Sequence, residues 1–509
     1  MTTERFRHPR IPRALALWVL GLTLGGCSIG PRFHAPSAPS VARYTMRSHP
    51  ATTMKARGPA GSAQRFVPSM AVSARWWTAF HSPDLDRLMA RGLRNSQTLK
   101  AAVARLEQAR AAVAAEEGIF YPQVNGDLGA SRQQSSFGSK NSGPNGIYSL
   151  YTGGLSVSYY PDIFGANRLV YRSVEAQAQY QRDEMLAAQL TLVGNIATTA
   201  ILAASERTQV AATEAIIRSE ARLLALTRLQ YHAGAVPYLA VINQESQLAT
   251  SRANLPALKQ QLAVSRYTLA TLVGELPAAW RPLHLRLRNL HLPERLPVSL
   301  PSELVRQRPD IRAALEQLRY ANATIGIADA QFYPVVQLTA SFGQESLQPD
   351  KFFSPASNIW SIAGSLLAPI FHGGTLRAQR REAIAQYAGT LAAYRQTVLD
   401  AFQQVASSLR ALAHDAQALR DQRDAYDAAR KALHLAEESY RAGAIDSLQL
   451  LTNEALYSQA RIAYVRAKAQ RYLDTVGLYT ALGGGLGPVQ AAQSGLLQQT
   501  NASHRKTQQ

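Results

Sequence analysis

The most reactive side chain in this sequence is the thiol of Cys27, its only cysteine. It follows a basic stretch and the apolar run 14–24, which is too short to span a bilayer as a mature helix. In Leu24-Gly25-Gly26-Cys27 a small residue precedes the thiol, as in lipoprotein signal peptides. We expect cleavage before Cys27 and acylation of its sulfur and amine with chains such as palmitate, which anchor by about 0.8 kcal/mol per buried methylene. The alternative is an incidental cysteine inside a signal peptide.

The residue after Cys27 is Ser28 rather than aspartate, which is typical of lipoproteins that a Gram-negative cell sends to its outer membrane. A single cysteine permits no intrachain disulfide. Beyond the leader, the sequence has no apolar run of 18 or more residues, so no transmembrane helix is predicted.

No other residue pattern predicts enzymatic chemistry. The glycine-rich stretch 483–487 follows a helical pattern instead of a strand, so it indicates a helix stop and not a phosphate loop. The histidines include no close-spaced ligand pair, and His372 before Gly373-Gly374 is expected in a strand-to-helix turn. With no nucleophile–base constellation, we predict a protein that is not an enzyme and has no cofactor or metal.

The formal net charge of +20 is carried by lysines and arginines scattered along helical segments. They lack the interleaved aromatic residues of a nucleic-acid surface, so no nucleic-acid partner is predicted. This basic surface suits anionic head groups or anionic cargo.

The sequence contains an internal repeat. Tyr231-His-Ala-Gly-Ala235 returns as Tyr440-Arg-Ala-Gly-Ala444, and Phe120-Tyr-Pro122 returns as Phe332-Tyr-Pro334. A period of about 210 residues is too long for a solenoid, so it indicates two copies of one large unit.

Each copy combines helices with a β-hairpin. In the first, a helix is predicted from Ser82-Pro83 to about Glu117, a hairpin over about 122–162 and a long helix over about 167–231. At 1.5 Å per residue the long helix reaches roughly 100 Å. The turn at 231–235, where Gly234 suits a left-handed cap, leads to a return helix broken at Pro256. Six apolar residues form a coiled-coil-like stripe on the long helix: Leu186, Leu190, Val193, Ala197, Ile201 and Ala204. All of them except Val193 have a counterpart in the corresponding stripe of the second copy.

The second copy repeats the hairpin over about 334–369, which gives four strands in all. Four strands cannot close a membrane barrel, because the smallest barrels have about eight. Two chains would give an eight-stranded barrel filled by side chains, and three chains a twelve-stranded barrel with a lumen. A soluble β-sandwich is the alternative, but it would leave the lipid anchor and the long helices unexplained.

These features together resemble the TolC-like outer-membrane efflux channels, in particular their OprM- and NodT-type lipoprotein branch. The resemblance extends from Cys27 to about Gly485. Its carriers are Cys27-Ser-Ile-Gly-Pro31 with Pro36, Trp76-Trp77 with Phe80, Arg308-Pro-Asp-Ile311 through Phe332-Tyr-Pro334, and the paired Tyr-x-Ala-Gly-Ala turns.

The resemblance implies a mainly α fold with membrane β: a homotrimer with a twelve-stranded outer-membrane barrel and a periplasmic α-barrel. It divides the chain into a signal peptide (1–26), a lipid anchor, tether and equatorial segment (27–82), a first repeat (83–279), an equatorial connector (280–301), a second repeat (302–485) and a disordered tail (486–509).

The resemblance also implies a passive conduit in the outer membrane, supplied by a periplasmic adaptor and an inner-membrane pump of the resistance-nodulation-division or major-facilitator type. The cargo would be drugs or other small toxic compounds. Alternatives are the channel of a type I protein secretion system and a periplasmic coiled-coil scaffolding lipoprotein.

The conduit would be shut at its periplasmic tips, the turns at 231–240 and 440–449. Relatives often carry acidic residues at the positions of Ala240 and Thr452, and neither is acidic here. The remaining candidates for the tip or gate are Tyr231, Gly234, Tyr440, Arg441, Gly443, Asp446, Gln449, Thr452 and Glu454. Alternatively, Tyr440 and Glu454 only cap and solvate helices.

Overall fold

The computed structural model describes residues 29–46, 50–58, 60–134, 147–281 and 285–485, which form two compact units. The sheet unit takes its described residues from 29–35, 107–180 and 315–393, and the helical unit takes the remainder. Cys27, the signal peptide and the predicted tail 486–509 lie outside the described residues.

In chain order the helices and strands are β1 (Arg65–Pro68), α1 (Pro83–Asn95), α2 (Gln97–Glu117), β2 (Gln123–Gln134), β3 (Ile147–Tyr159), α3 (Ala166–His232), α4 (Tyr238–Leu272), β4 (Arg295–Val298), α5 (Pro301–Gln307), α6 (Pro309–Ala330), β5 (Val335–Ser346), β6 (Asn358–Leu367), α7 (Thr375–Arg441) and α8 (Ser447–Ala481).

The two predicted hairpins form one antiparallel sheet in the sheet unit, in the order β2-β3-β5-β6. Leu155 of β3 lies opposite Phe342 of β5, so this central pairing joins one hairpin to the other. Within the described chain, β2 and β6 each pair on one side only, which leaves both outer edges of the sheet open. Strand β2 runs from Gln123 to Gln134 within the predicted hairpin 122–162.

The order of elements after the first hairpin recurs after the second. The long helices α3 and α7 have 67 residues each, and the return helices α4 and α8 have 35 each. Most residues of the predicted apolar stripe are buried, with Ala197 and Ile201 on α3 and Val405 on α7 fully inaccessible to solvent, whereas Leu190 is half-buried. Their burial confirms that the coiled-coil-like pattern marks the packed face of each long helix.

Among the described helices, α3 alone has a window apolar enough to cross a membrane by length and composition. Half of that window is buried inside the protein, as in the core helix of a packed unit. That α3 does not cross the membrane therefore stays a prediction.

Two predicted helix bounds are wrong. The helix expected from Ser82 to Glu117 is two helices, because Ser96 leaves the helical conformation and its hydroxyl accepts from the backbone N–H of Leu99 at 3.5 Å. The expected break at Pro256 is absent, and α4 runs through that residue. Proline removes one backbone donor from a helix interior, a local loss that the long flanking segments outweigh.

A short parallel strand pair, which the sequence analysis missed, joins the amino-terminal segment to the connector. In this pair β1 lies beside β4, with Phe66 opposite Leu296 and both side chains buried. In the same unit, Arg471 Nη2 of α8 donates to Thr53 Oγ1 at 2.9 Å and to the Ser62 carbonyl at 2.7 Å. The part of the predicted segment 27–82 that belongs to the helical unit is therefore fixed to that unit at these points.

The aromatic residues Trp76, Trp77 and Phe80 are buried, but packed structure begins before them, since Thr53 and Phe66 are buried too. Trp76 stacks on Tyr479 of α8, with ring centroids 5.2 Å apart. This aromatic contact joins the amino-terminal segment to the end of the second repeat.

Candidate functional site

One face of the four-stranded sheet is apolar and exposed. Directly paired residues of antiparallel strands point to the same face, so the register defines both faces of the sheet. Trp360 is 73% exposed and Ile362 is 79% exposed, which indicates a surface meant to be covered by lipid or protein. The apolar face carries Val124, Leu128, Leu155, Val157, Leu338, Ala340, Phe342, Trp360, Ile362 and Leu366.

The opposite face of the same sheet is polar. The hydroxyl groups of Ser341 and Ser361 on neighbouring strands are hydrogen-bonded at 2.8 Å. The polar face carries Gln123, Asn125, Asp127, Ser156, Ser158, Gln337, Thr339, Ser341, Ser361 and Ser365. A sheet with one face for lipid and one for water is the pattern of a transmembrane barrel wall.

Aromatic side chains mark one end of this sheet. Tyr121 precedes β2, Tyr160 follows β3, Tyr333 precedes β5 and Phe371 follows β6, and all four are exposed. Because the strands are antiparallel, these four positions lie at the same end of the sheet. Exposed aromatic rings beside strand ends are typical of the interface between bilayer and water.

The two helical turns, 233–237 and 442–446, have the same backbone geometry. Gly234 has φ +73° and Gly443 has φ +72°, a left-handed conformation that glycine adopts without strain. The alanine after each glycine donates its N–H across the turn at 2.8 Å, which satisfies a carbonyl of the preceding helix end. The predicted caps are therefore confirmed in both copies.

Tyr440 links the second helical hairpin to the first. Its hydroxyl donates to Gln230 Oε1 near the end of α3, and its side chain, which is 6% exposed, packs against Leu450 of α8. Its counterpart in the first copy, Tyr231, is 39% exposed and lies beside Tyr238, with ring centroids 5.3 Å apart. Tyr440 is thus a buried contact between hairpins and not a solvated cap.

Glu454 is also buried, on the first turns of α8. Burial, together with the negative charges of Glu220 and Glu437, raises the pKa of Glu454 to about 7. Its counterpart Glu245 is half-buried and forms an ion pair with Arg228 at 2.5 Å. The burial of Glu454 therefore contradicts the alternative in which it only caps and solvates its helix.

The sequence matches the family described as outer membrane efflux protein over residues 88–275 and 300–484. The chain belongs to this family. The pyoverdine export outer membrane protein OpmQ of Pseudomonas aeruginosa is 34% identical over 417 residues, 81% of this chain and 87% of that protein. The antibiotic efflux pump outer membrane protein ArpC of Pseudomonas putida is 30% identical over 477 residues, 92% and 95% of the two chains. The structure of the outer-membrane channel OprN covers 90% of this chain and 99% of its own, with a TM-score of 0.81 and 26% identity.

This outer membrane efflux protein is therefore a TolC-like channel component of an efflux system, located in the outer membrane of a Gram-negative bacterium. The family and the structural neighbours are channels, so the features of interest are exposed surfaces and a passage rather than catalytic groups. The sheet and the two helical turns are therefore the candidate functional surfaces of this chain.

In this efflux protein three other predicted residues at the second turn make contacts within the second hairpin. Asp446 Oδ1 accepts from the backbone N–H of Gln449 at 2.8 Å and so caps α8. Thr452 donates its hydroxyl to a carbonyl of its own helix at 2.9 Å. Arg441 lies 3.6 Å from Glu437 in an exposed ion pair. Of the predicted set, the structure brings Tyr440 and Glu454 into contacts that reach the first hairpin.

The groups near these two residues, Gln230, Glu220 and Gln244, were not predicted from the sequence. Glu220 could have been found, because it occupies a buried position between Ile216 and Leu224 in the apolar periodicity of α3. A charged residue at such a position needs a partner or a raised pKa.

Proposed function

We propose that three copies of this chain close a twelve-stranded barrel around an aqueous lumen. The observation that carries the proposal is the sheet, which has an exposed apolar face, a polar opposite face and two open edges. In lipid every backbone donor and acceptor needs a partner, so the edges of β2 and β6 must each meet another strand. Eight strands would leave an interior filled by side chains, whereas twelve leave room for cargo.

The resulting conduit is passive. Its wall offers serine, threonine and amide groups, which hydrate a passage without holding cargo tightly. Energy and cargo come from an inner-membrane pump, of the resistance-nodulation-division or major-facilitator type, through a periplasmic adaptor. Relatives named for pyoverdine and antibiotic export support small organic compounds as cargo.

The helical turns form the gate of this conduit. The bond from Tyr440 to Gln230 holds the second hairpin of a chain against its first, and so favours the closed arrangement. An adaptor that offers these side chains better partners shifts the population toward the open arrangement. The identical caps at Gly234 and Gly443 leave the hairpin ends rigid while the contact between them changes.

A lipid on Cys27 anchors the amino terminus beside the barrel. Residues that follow support this role, because Gly30 contacts Gly326 of α6 so closely that a Cβ on Gly30 would lie 2.6 Å from the Gly326 Cα. Asn322 of the same helix donates to the Pro31 carbonyl at 3.0 Å. Mass spectrometry of the mature amino terminus tests the anchor, and an unmodified Cys27 would refute it.

Spin labels at Val157 and Ser158 test the barrel. These neighbours on β3 lie on the apolar and the polar face respectively. In protein reconstituted into vesicles, we expect the label at 157 to be accessible to a lipid-soluble relaxing agent and the label at 158 to a water-soluble one. A label at Asp424, on α7 in the helical unit, is the water-exposed control. Equal water accessibility at both strand positions would rule out the barrel.

A further inference from the structure

A cavity of about 310 Å³ lies in the helical unit between α3, α7 and α8. Two of these helices, α3 and α7, also carry the contact between Gln230 and Tyr440. The volume is at the lower end of the range for small-molecule sites. Apolar side chains, two serine hydroxyl groups and the Tyr457 ring form part of the lining. The side chains of the lining that can carry a charge near neutral pH are Arg222, Arg430, His434, Glu437, Glu454 and Arg461.

Aromatic rings and guanidinium groups are stacked beside this cavity. The ring centroid of Tyr457 lies 5.9 Å from that of Tyr426 on the facing helix α7. The Arg461 guanidinium lies 6.0 Å from the centroid of Tyr457, and the Arg430 guanidinium lies 5.7 Å from the centroid of Tyr426. Cation–π contacts of this kind hold the two arginines against flat aromatic surfaces.

The arginines of the lining are not bound by carboxylates of the chain. Arg430 is 3.6 Å from Asp427, beyond hydrogen-bond distance, and Asp427 already accepts from Arg423 at 2.8 Å. Within the part of the chain that the structure describes, Arg222 and Arg461 form no ion pair. Three guanidinium groups therefore line one cavity, and none of them donates a hydrogen bond to a described carboxylate.

Two other groups of the lining have partners outside the cavity. Glu437 is 3.6 Å from Arg441, and His434 is 3.4 Å from Glu438. Neither of these partners lines the cavity. The negative charge of Glu437 is therefore compensated by Arg441 and offsets little of the charge of the three arginines.

Glu454 is the remaining carboxyl group of the lining, and it is buried. Burial and the negative charge of Glu220, with a smaller contribution from Glu437, raise the pKa of Glu454 to about 7, although a hydrogen bond with the facing amide of Gln244 opposes the shift. Glu454 is therefore largely protonated at about pH 6. At that pH the arginines leave the cavity with a net positive charge.

The first repeat carries different side chains at the equivalent positions. When the two Tyr-x-Ala-Gly-Ala turns are aligned, Ala221 corresponds to Arg430 and Leu248 corresponds to Tyr457. Both residues of the first repeat belong to an apolar cluster with Leu224. An apolar seam is what the packing of two helices requires. The arginine and the tyrosine of the second repeat therefore indicate a role beyond packing.

We propose that this cavity binds a small aromatic anion, such as an aromatic carboxylate. Arg222, Arg430 and Arg461 hold the carboxylate, because guanidinium groups match its planar geometry. The ring of the ligand lies against Tyr457 and the apolar part of the lining. A ligand held in this way contacts α3 of the first repeat and α7 and α8 of the second. The inference depends on contacts within one chain and does not require barrel closure.

Isothermal titration calorimetry of the purified full-length protein with naphthoate, at about pH 6, tests the proposal. We expect saturable binding of one naphthoate per chain. Naphthamide, which has the same rings without the charge, and acetate, which has the charge without the rings, should both bind more weakly. Arg430→Gln and Arg461→Gln should each weaken naphthoate binding by at least about tenfold, because each removes a charged hydrogen-bond donor. The heat of titrating detergent alone is subtracted, since naphthoate also enters micelles.

Arg252→Gln is the matched control. It makes the same change at the equivalent of Arg461 in the first repeat, outside the cavity, and should leave the affinity unchanged. Arg222→Gln keeps the test decisive if the variants of the second hairpin fail to fold, since Arg222 is exposed and lies on α3. It should weaken naphthoate binding as the other two variants do. Tyr457→Leu, which introduces the residue of the first repeat, should weaken the binding of naphthoate more than that of acetate.

Three outcomes would overturn the proposal. Equal affinity of the wild type and the three cavity arginine variants would exclude the site. Acetate binding as tight as naphthoate binding would exclude the aromatic ligand. An equal loss of affinity in Arg252→Gln and Arg461→Gln would show a general effect of charge. None of these outcomes bears on the barrel, which the labels at Val157 and Ser158 test separately.

Discussion

Replacing Tyr440 with phenylalanine removes one hydroxyl from the contact between the two helical hairpins and leaves the buried ring in place. The hydroxyl donates to Gln230, whose side chain is partly exposed and can turn to water when the donor is lost. No buried acceptor is stranded, so the expected loss is the net value of one neutral hydrogen bond, about 1 kcal/mol. That corresponds to about a fivefold shift toward the open arrangement for each chain.

In the proposed trimer the three contacts lie in one ring of hairpins. If the three chains open together, the shifts multiply, and the equilibrium moves by about two orders of magnitude. Single-channel recording in planar bilayers measures the equilibrium between the closed and open arrangements as the fraction of time that the channel spends in the conducting state. We expect Tyr440→Phe channels to conduct for a much larger fraction of the record, with unchanged conductance of the open state.

Tyr231→Phe is the matched control for this measurement. It makes the same chemical change at the same position of the first copy, where the side chain is exposed and its hydroxyl has no hydrogen-bond partner among the described residues. We expect less than a twofold change in open fraction. Equal effects of the two substitutions, or no effect of Tyr440→Phe, would refute the assignment of Tyr440 to the gate.

Three further predictions concern other parts of the chain. The pKa of Glu454 rises on folding from 4.5 to about 7, so the folded state binds more protons between these pH values. The free energy of unfolding should therefore fall as the pH rises through this range, by at most about 3.4 kcal/mol, and Glu454→Gln should flatten this dependence in thermal unfolding. Ile362→Lys on the apolar face should cost about 2–4 kcal/mol and reduce folding into vesicles, seen by gel mobility, whereas Ser361→Lys on the polar face should fold normally. Gly30→Ala would force a methyl group against Gly326, at a φ of +99°, so limited proteolysis should cut residues 29–35 faster than in the wild type; equal rates would contradict this packing.

Local periodicity was sufficient to predict most of the elements. The alternation around Val157 and Leu338 predicted strands, and the spacing of Ala197 and Ile201 predicted a buried helix stripe, because each pattern depends on neighbours in the sequence. The left-handed cap at Gly234 was predicted for the same reason, since only glycine suits that backbone conformation.

The misses have physical reasons too. Ser96 splits a helix through its own side chain, a competition that apolar spacing does not reveal. Pairing of Phe66 with Leu296 depends on residues far apart in sequence and on strands of only four residues. The buried setting of Glu454 was missed because Gln244 and Glu220, which affect its pKa, lie far from it in sequence and come near it only when three helices pack together.

The two fixed points of the amino-terminal segment have a consequence for the order of assembly. Arg65 pairs with a residue 230 positions later in the chain, and Thr53 accepts its hydrogen bond from a residue 418 positions later. The segment is synthesised before its partners, which lie near the middle and the end of the sequence. Contacts of such long sequence separation form late in folding. The amino-terminal segment is therefore among the last parts to become ordered, and a chain truncated before Arg471 would leave it without the hydrogen bonds to Thr53 and Ser62.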